Sequence, residues 1–159
     1  MNGLRGMGMA VLLGTAAVCS SAAETAYDFT VCTSSRRIPI EANADIVAFG
    51  VENWGVVASS TTPLFERAST HCAGYLRIAG GRPVGKGVCK WALAGGDSGV
   101  GEFEYPASGE PVWRWLAGSG KLKGISGTGT FKELFSGAVV DAATSQGCRR
   151  DWGTVNLPQ

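Results

Sequence analysis

The chain has 159 residues, 45% of them hydrophobic and 17% charged, with 14 Lys+Arg against 13 Asp+Glu and a formal net charge of +1. That length suffices for one domain around one core. The charges are balanced and dispersed, without the basic surplus that displaces counterions from nucleic acid or draws a protein to an anionic membrane surface. In chain order the first element is a leader. Arg5 is the only charge before Glu24, Met9 to Val18 is an apolar run, and Ser21-Ala22-Ala23 sets small residues where a signal peptidase needs them. The expectation is a secretory signal peptide over 1–23, cleaved after Ala23. Its apolar run of about ten residues is half of the ~20 that a spanning helix requires, so no membrane span is expected. A lipoprotein attached through Cys19 is the poorer reading, because Val18 is bulky where a small residue should precede a lipidated cysteine. Loss of the leader removes Arg5, brings the formal charge to zero and leaves a single domain over 24–159, secreted or periplasmic.

Beyond the leader, no long window carries apolar residues at the i, i+3, i+4, i+7 spacing of a helix. Alternation dominates, broken by Gly, Pro and Ser clusters about every ten residues, the signature of an all-β sandwich or barrel. Strands are predicted over Tyr27–Thr33, Asp45–Ala58, Arg67–Ile78, Val84–Leu93, Gly99–Tyr105, Val112–Leu116, Lys121–Phe131 and Gln146–Leu157. Turns fall at Gly80-Gly81-Arg82-Pro83, Gly95-Gly96-Asp97-Ser98 and Pro106 to Pro111. A short helix finds room only near Glu133 or within Ser60–Glu66.

The second strand is apolar at both parities: Ile46, Ala48, Trp54 and Val56 on one, Val47, Phe49, Val51 and Val57 on the other. A strand apolar on both faces is covered on both, so the outer face is expected to meet a second copy in a homo-oligomer. Glu52 and Asn53 are adjacent, so one of them points inward, either as satisfied structural polarity or as a ligand contact. In the next strands period 2 puts Cys72, Gly74, Leu76 and Ile78 on one face and His71, Tyr75 and Arg77 on the other. Likewise Cys89, Trp91 and Leu93 oppose Lys86 and Lys90, while Phe103 and Tyr105 oppose Glu102 and Glu104. The outward lysines and glutamates could pair across strands. Trp113 and Trp115 share a face, and Trp91 and Trp54 could join them as core or as the lining of an apolar cavity. The cavity candidates are therefore Glu52, Asn53, Trp54, Trp91, Trp113 and Trp115.

Of the five cysteines, Cys19 leaves with the leader. Cys32, Cys72, Cys89 and Cys148 remain, an even number in an oxidising compartment, which predicts two disulfides. Zinc is the rival reading, but there is no CxxC spacing and His71 is the single histidine, so no metal is expected. Cys72 and Cys89 face the core from strands joined by a short turn and can bridge if their Cα atoms come within about 7 Å. Cys32 and Cys148 lie on the first and last strands, which are neighbours if the sheet closes, and a bridge there would staple the seam. Four cysteines allow three connectivities, and the sequence leaves the choice open.

The stretch Gly118-Ser-Gly-Lys-Leu-Lys-Gly-Ile-Ser-Gly-Thr-Gly-Thr-Phe131 could be a phosphate loop or glycine-kinked β-structure. A GxxxxGK[ST] loop would need glycine at Trp115 and a hydroxyl at Leu122, and a GxGxxG fingerprint would need glycine at Lys132. No nucleotide cofactor is expected, nor any other. Glycine within a strand marks a bulge or a barrel corner, and corner-turning β-structure is the reading adopted. This segment resembles the GGTGKFxGxxGxG strand-turn-strand segment of allene oxide cyclase and dirigent-type barrels. It is still more similar to small secreted bacterial proteins of unknown function that combine it with an HCxG…GxC pair, here His71 to Gly74 and Gly87 to Cys89. Those proteins add a late Cys followed by GTxxL, here Cys148 and Gly153 to Leu157. The resemblance covers roughly the C-terminal two-thirds of residues 24–159. It implies a closed antiparallel eight-stranded barrel, calycin-like and often oligomeric, and it transfers no catalytic constellation.

Chemistry is thinly represented. His71 falls on the polar face, away from any nucleophile, and Asp97, Glu102 and Glu104 read as solvated acids; a turn with one carboxylate is too poor in oxygen for calcium. No catalytic residue is assigned. The leading expectation is an exported, disulfide-stapled barrel that binds a small apolar ligand or acts as a structural or interaction module. The alternatives are an isomerase- or cyclase-type enzyme acting on a lipid-like substrate, and a protein-binding or inhibitory module working through its loops.

Overall fold

The computed structural model describes residues 23–42 and 47–157. The leader up to residue 22, and Asp45 and Ile46 of the predicted second strand, lie outside the described residues. Eight strands run β1 (Ala23–Ala42), β2 (Val47–Ser60), β3 (Ser69–Ala79), β4 (Arg82–Ala92), β5 (Ser98–Tyr105), β6 (Val112–Gly118), β7 (Thr128–Ser136) and β8 (Thr144–Leu157). Each pairs antiparallel with the next, and β8 returns to β1 along the register Ala23↔Leu157 to Arg36↔Thr144, so the sheet closes into a barrel. The all-β, closed eight-stranded antiparallel architecture is thus present, and closure leaves no free edge between first and last strands. Among the described residues no helix is long and apolar enough to cross a membrane.

The core fills one end of this barrel. Inward side chains of β1 (Tyr27, Phe29, Val31), β4 (Trp91) and β6 (Trp113, Trp115) pack there with Val155 of β8, all buried. Two 3-10 helices, Pro63–Phe65 and Gly120–Leu122, cap that end and push in Phe65 and Leu122, each fully buried. Phe65 stacks on Trp115 at 5.5 Å between centroids and meets Trp91 edge-on at 6.2 Å.

The glycine-rich segment is the source of the second plug, and here the expected strand is corrected. The chain leaves the sheet after Gly118, turns through Gly120 at φ +54°, buries Leu122 and Ile125, and returns through a single bridge, Ser126 to Asn156, before β7 begins at Thr128. Alternate Lys121, Lys123 and Ile125 mimic a strand, but glycines with positive φ divert the backbone. The segment is a corner, as expected, but the corner is a plug and not a strand. Strand β7 runs on to Ser136, so Glu133 is in β-structure, and the 3-10 helix Pro63–Phe65 occupies the other predicted helical window.

Both expected disulfides form. Cys72–Cys89 links β3 to β4 inside the core, Cα–Cα 3.9 Å, and Cys32–Cys148 links β1 to β8 across the closing seam, Cα–Cα 4.0 Å. The weakest seam is β6–β7, with Trp113↔Gly129 and Arg114↔Thr128 in register. It is supplemented by the Trp115 N–H donating to the Gly127 carbonyl at 3.0 Å and the Thr130 hydroxyl donating to the Pro111 carbonyl at 2.6 Å. On the outer face the expected Lys–Glu pairs are replaced: Arg114 of β6 reaches both Glu102 (3.3 Å) and Glu104 (3.5 Å). Lys86 stands opposite Glu104 and Lys90 opposite Val100, but the arginine fork spans two acceptors at once and takes both glutamates.

Candidate functional site

The other half of the barrel is hollow. A cavity of about 360 Å³ opens at the end away from the plugs, walled by Phe49, Val51, Leu76, Phe103, Tyr105 and Phe131. Its existence follows from what the strands place inward. On β1 the bulky Tyr27, Phe29 and Val31 give way to Thr33 and Ser35, and β8 offers Gly147 opposite Thr33. Strand β6 is short, and its two inward tryptophans are spent in the packed half. An eight-stranded barrel is at the size where side chains can just fill it or leave room for one small ligand; here each half takes a different option.

A polar group lies at the boundary between the halves. Arg149 of β8 lines the cavity, and its Nε donates to Asp151 Oδ2 at 3.0 Å. Its guanidinium carbon stands 4.9 Å from the centroid of the Phe131 ring. Asp151 is 3% exposed, and burial holds its carboxyl above the ordinary aspartate range although Arg149 pulls the other way. The Tyr27 hydroxyl is buried without a hydrogen-bond partner among the described residues. Burial, reinforced by Asp151, raises Tyr27, and burial likewise raises Tyr105. Desolvation therefore pushes each of these three acidic groups toward its neutral form and leaves Arg149 as the fixed charge at the floor. Higher up, Asn53 faces inward with its side-chain oxygen buried and unpartnered. Arg37 and Glu133 stand at the rim; Arg37 lies over Phe49 at 5.5 Å and Glu133 accepts from the Ser136 hydroxyl.

The pterocarpan synthase dirigent protein GePTS1 superposes with a TM-score of 0.48 over 92% of this chain and 99% of its own, at 9% sequence identity. No protein-family model matches the sequence, and no curated protein does.

Of the six residues expected at a cavity, the structure brings one, Asn53, to the wall. Glu52 and Trp54 are on the outer face. Glu52 Oε1 lies 2.8 Å from His71 Nε2, and Trp54 stacks on the His71 ring at 5.2 Å with 6° between planes. One step along a strand reverses the face, so with Asn53 inward both its neighbours must be outward. Trp91, Trp113 and Trp115 do point inward but sit at the packed end, where they form core with their indole N–H groups unpartnered among the described residues. The alternation gives the face and not the height along the barrel. The residues missed are Arg149, Asp151, Phe131 and Tyr105. A signal existed: in Arg149-Arg150-Asp151, two residues of β8 must face inward together, and both are charged. Among the described residues no three His, Cys, Asp or Glu side chains converge as a metal site.

Proposed function

We propose that this chain is an exported, disulfide-stapled barrel that holds a small apolar molecule in its open half. The observation that carries the reading is that one barrel is solid at one end and hollow at the other. The hollow is preformed, has an aromatic and aliphatic wall facing a set of polar side chains, and is within the usual size of small-molecule sites, about 300–1,000 Å³. Export is supported by the leader-like residues 1–23 and by two disulfides, which persist in oxidising compartments. The test is native mass spectrometry of protein expressed with its own leader and recovered from an oxidising compartment, then of the same sample denatured without reduction. The expected result is a native mass carrying a small adduct, and a denatured mass four hydrogens below that of the reduced chain beginning at Glu24. A bare chain that also takes up no added apolar molecule would overturn the cavity reading, and a chain retaining residues 1–23 would overturn the processed export.

A second reading, an isomerase- or cyclase-type enzyme working in the same cavity, is supported by the desolvated Asp151 beside Arg149. It requires that Asp151→Asn abolish turnover of a retained substrate while leaving its binding intact. We also propose that a second copy covers the outer face of β2, where Trp54 is 47% and Val56 46% exposed. A monomer across micromolar concentrations in light scattering would exclude this.

A further inference from the structure

The cavity floor places a constraint on what the cavity can hold. Arg149 has a side chain only 16% exposed. Among the described residues it donates through Nε alone, to Asp151. A guanidinium carries five N–H donors and no acceptor, so its terminal nitrogens face the cavity side of the structure with their hydrogen-bonding capacity unused. Those nitrogens are not among the buried unpartnered atoms, so they meet solvent through the cavity, and an entering acceptor would take its place. Its position is also fixed from two directions, by Asp151 behind it and by the Phe131 face beside it. It is therefore a pre-organised cation with free donors, set between the aromatic wall of Phe103, Tyr105 and Phe131 and polar side chains such as Thr33, Ser35 and Asn53.

Resting on the reading of the open half as a ligand cavity, we infer that its ligand is a compact apolar molecule bearing a carboxylate, and that the carboxylate seats on the terminal nitrogens of Arg149. Two coplanar oxygens match the planar fork of a guanidinium. A phosphate monoester would bring nearly two charges into walls that offer one deep cation, and a neutral carbonyl would take only the weaker hydrogen bonds of an uncharged acceptor. Asp151 does not already fill this role, since it takes only the Nε edge and lies behind the cavity wall. Glu133 stands directly across from Arg149 in the β7–β8 register and has the opposite sign, but its carboxylate accepts from the Ser136 hydroxyl, and among the described residues the ion pair of Arg149 is with Asp151. Arg37 adds a second cation at the rim, on the path an acid would take. The cavity of about 360 Å³ equals about a dozen water volumes at ~30 Å³ each, which sets the ligand at roughly a dozen heavy atoms.

Three probes of one shape separate the possibilities: 2-naphthoic acid, its neutral isostere 2-naphthamide and the cation 2-naphthylmethylamine, titrated calorimetrically into the full disulfide-bonded protein. The acid is expected to bind about tenfold more tightly than the amide, the gain of a charged over a neutral hydrogen bond, with the amine weakest. In the double variant Arg149→Met/Asp151→Asn, which removes one charge of each sign, that advantage should vanish, the acid losing about tenfold more affinity than the amide does. The comparison of probes on the unaltered protein stands even if the variant fails to fold. If acid and amide bind alike, or the acid keeps its advantage in the double variant, the Arg149 anchor is wrong and the apolar cavity survives. If none of the three binds, the anchor falls, and the cavity reading is then decided by the adduct measurement above.

Discussion

Along β1 the inward side chains run Tyr27, Phe29, Val31, then Thr33 and Ser35; along β8, from the same end, Val155 and Asp151 give way to Arg149 and Gly147. The same strands, in the same register, make a filled half and an empty one. What differs is the bulk at alternate positions and two plugs, Phe65 and Leu122, delivered from outside the sheet by short helices. The comparison teaches that closure and hydrogen bonding fix the cylinder, while a handful of inward residues decide whether it is core or container. Stability is concentrated in the first half, and the second is free to carry polar and small residues that a core would not tolerate.

The sharpest way to break the comparison is to remove bulk from each half. Trp91→Ala, at 1% exposure among Phe29, Phe65, Trp113 and Trp115, should cost about 3–5 kcal/mol in denaturant unfolding. Leu76→Ala, on the cavity wall, should cost under about 2 kcal/mol, because Leu76 is only partly buried and one side of it already faces the cavity. Equal losses would mean that the open half is packed in solution. Adding bulk is the next test. A methyl at Gly101 would collide with the Trp113 ring and the Arg114 carbonyl, so Gly101→Ala should destabilise by about 1–3 kcal/mol. At Gly50 a methyl meets Ile38 no closer than 3.5 Å, and Gly50→Ala should stay within about 0.5 kcal/mol of the unaltered protein.

Acid titration sharpens the contrast between a buried and an exposed carboxylate. Asp151 is held above the ordinary 3.8, chiefly by burial, so the folded state binds its proton more tightly than the unfolded chain does. Its contribution favours folding at low pH and is lost as pH rises from about that value through the raised one. Asp28 is held below 3.8, chiefly by its hydrogen bond from Arg150, so its contribution is present above 3.8 and is lost as pH falls through the lowered value. Melting temperatures across the acid range should therefore show Asp151→Asn gaining on the unaltered protein as pH rises and Asp28→Asn falling behind it. Slopes of the same sign would contradict the burial of Asp151. The smallest effect belongs to the outer surface, where Arg114→Ala should cost under about 1 kcal/mol despite losing contacts to two glutamates, because exposed ion pairs are screened and mobile.

Much of this fold was legible in the residues. Period 2 in STHCAGYLRI and VGKGVCKWAL put Cys72, Cys89 and Trp91 inward, where they are, and the cysteines on the first and last strands anticipated the seam. Legibility failed where the backbone left its periodic path. Lys121 to Ile125 alternate like a strand, but glycine lets the chain turn through conformations a strand does not use. The candidate site was less legible for a different reason. Alternation carries no information on which end of the barrel a residue occupies, so three core tryptophans and one wall asparagine looked alike. Glu52 and Trp54 read as lining because the second strand is apolar at both parities. Arg149 and Asp151 were overlooked because charged residues in a strand are usually assigned to solvent, and their meaning depends on being inward at the same time.

The shortness of β6 has a mechanical consequence. Seven of the barrel's eight lateral joints are longer ladders, and two of those are covalently tied, β8–β1 by Cys32–Cys148 and β3–β4 by Cys72–Cys89. The β6–β7 joint holds two residues on each side in register. A cylinder with one short joint opens there first, like a tube split along its thinnest line, and the Trp113–Gly129 amides should be the earliest sheet amides to exchange with deuterated solvent. The split would run from the packed end, where Trp113 belongs, and the two disulfides, at β8–β1 and at β3–β4, would hold the rest of the wall together as one curved sheet.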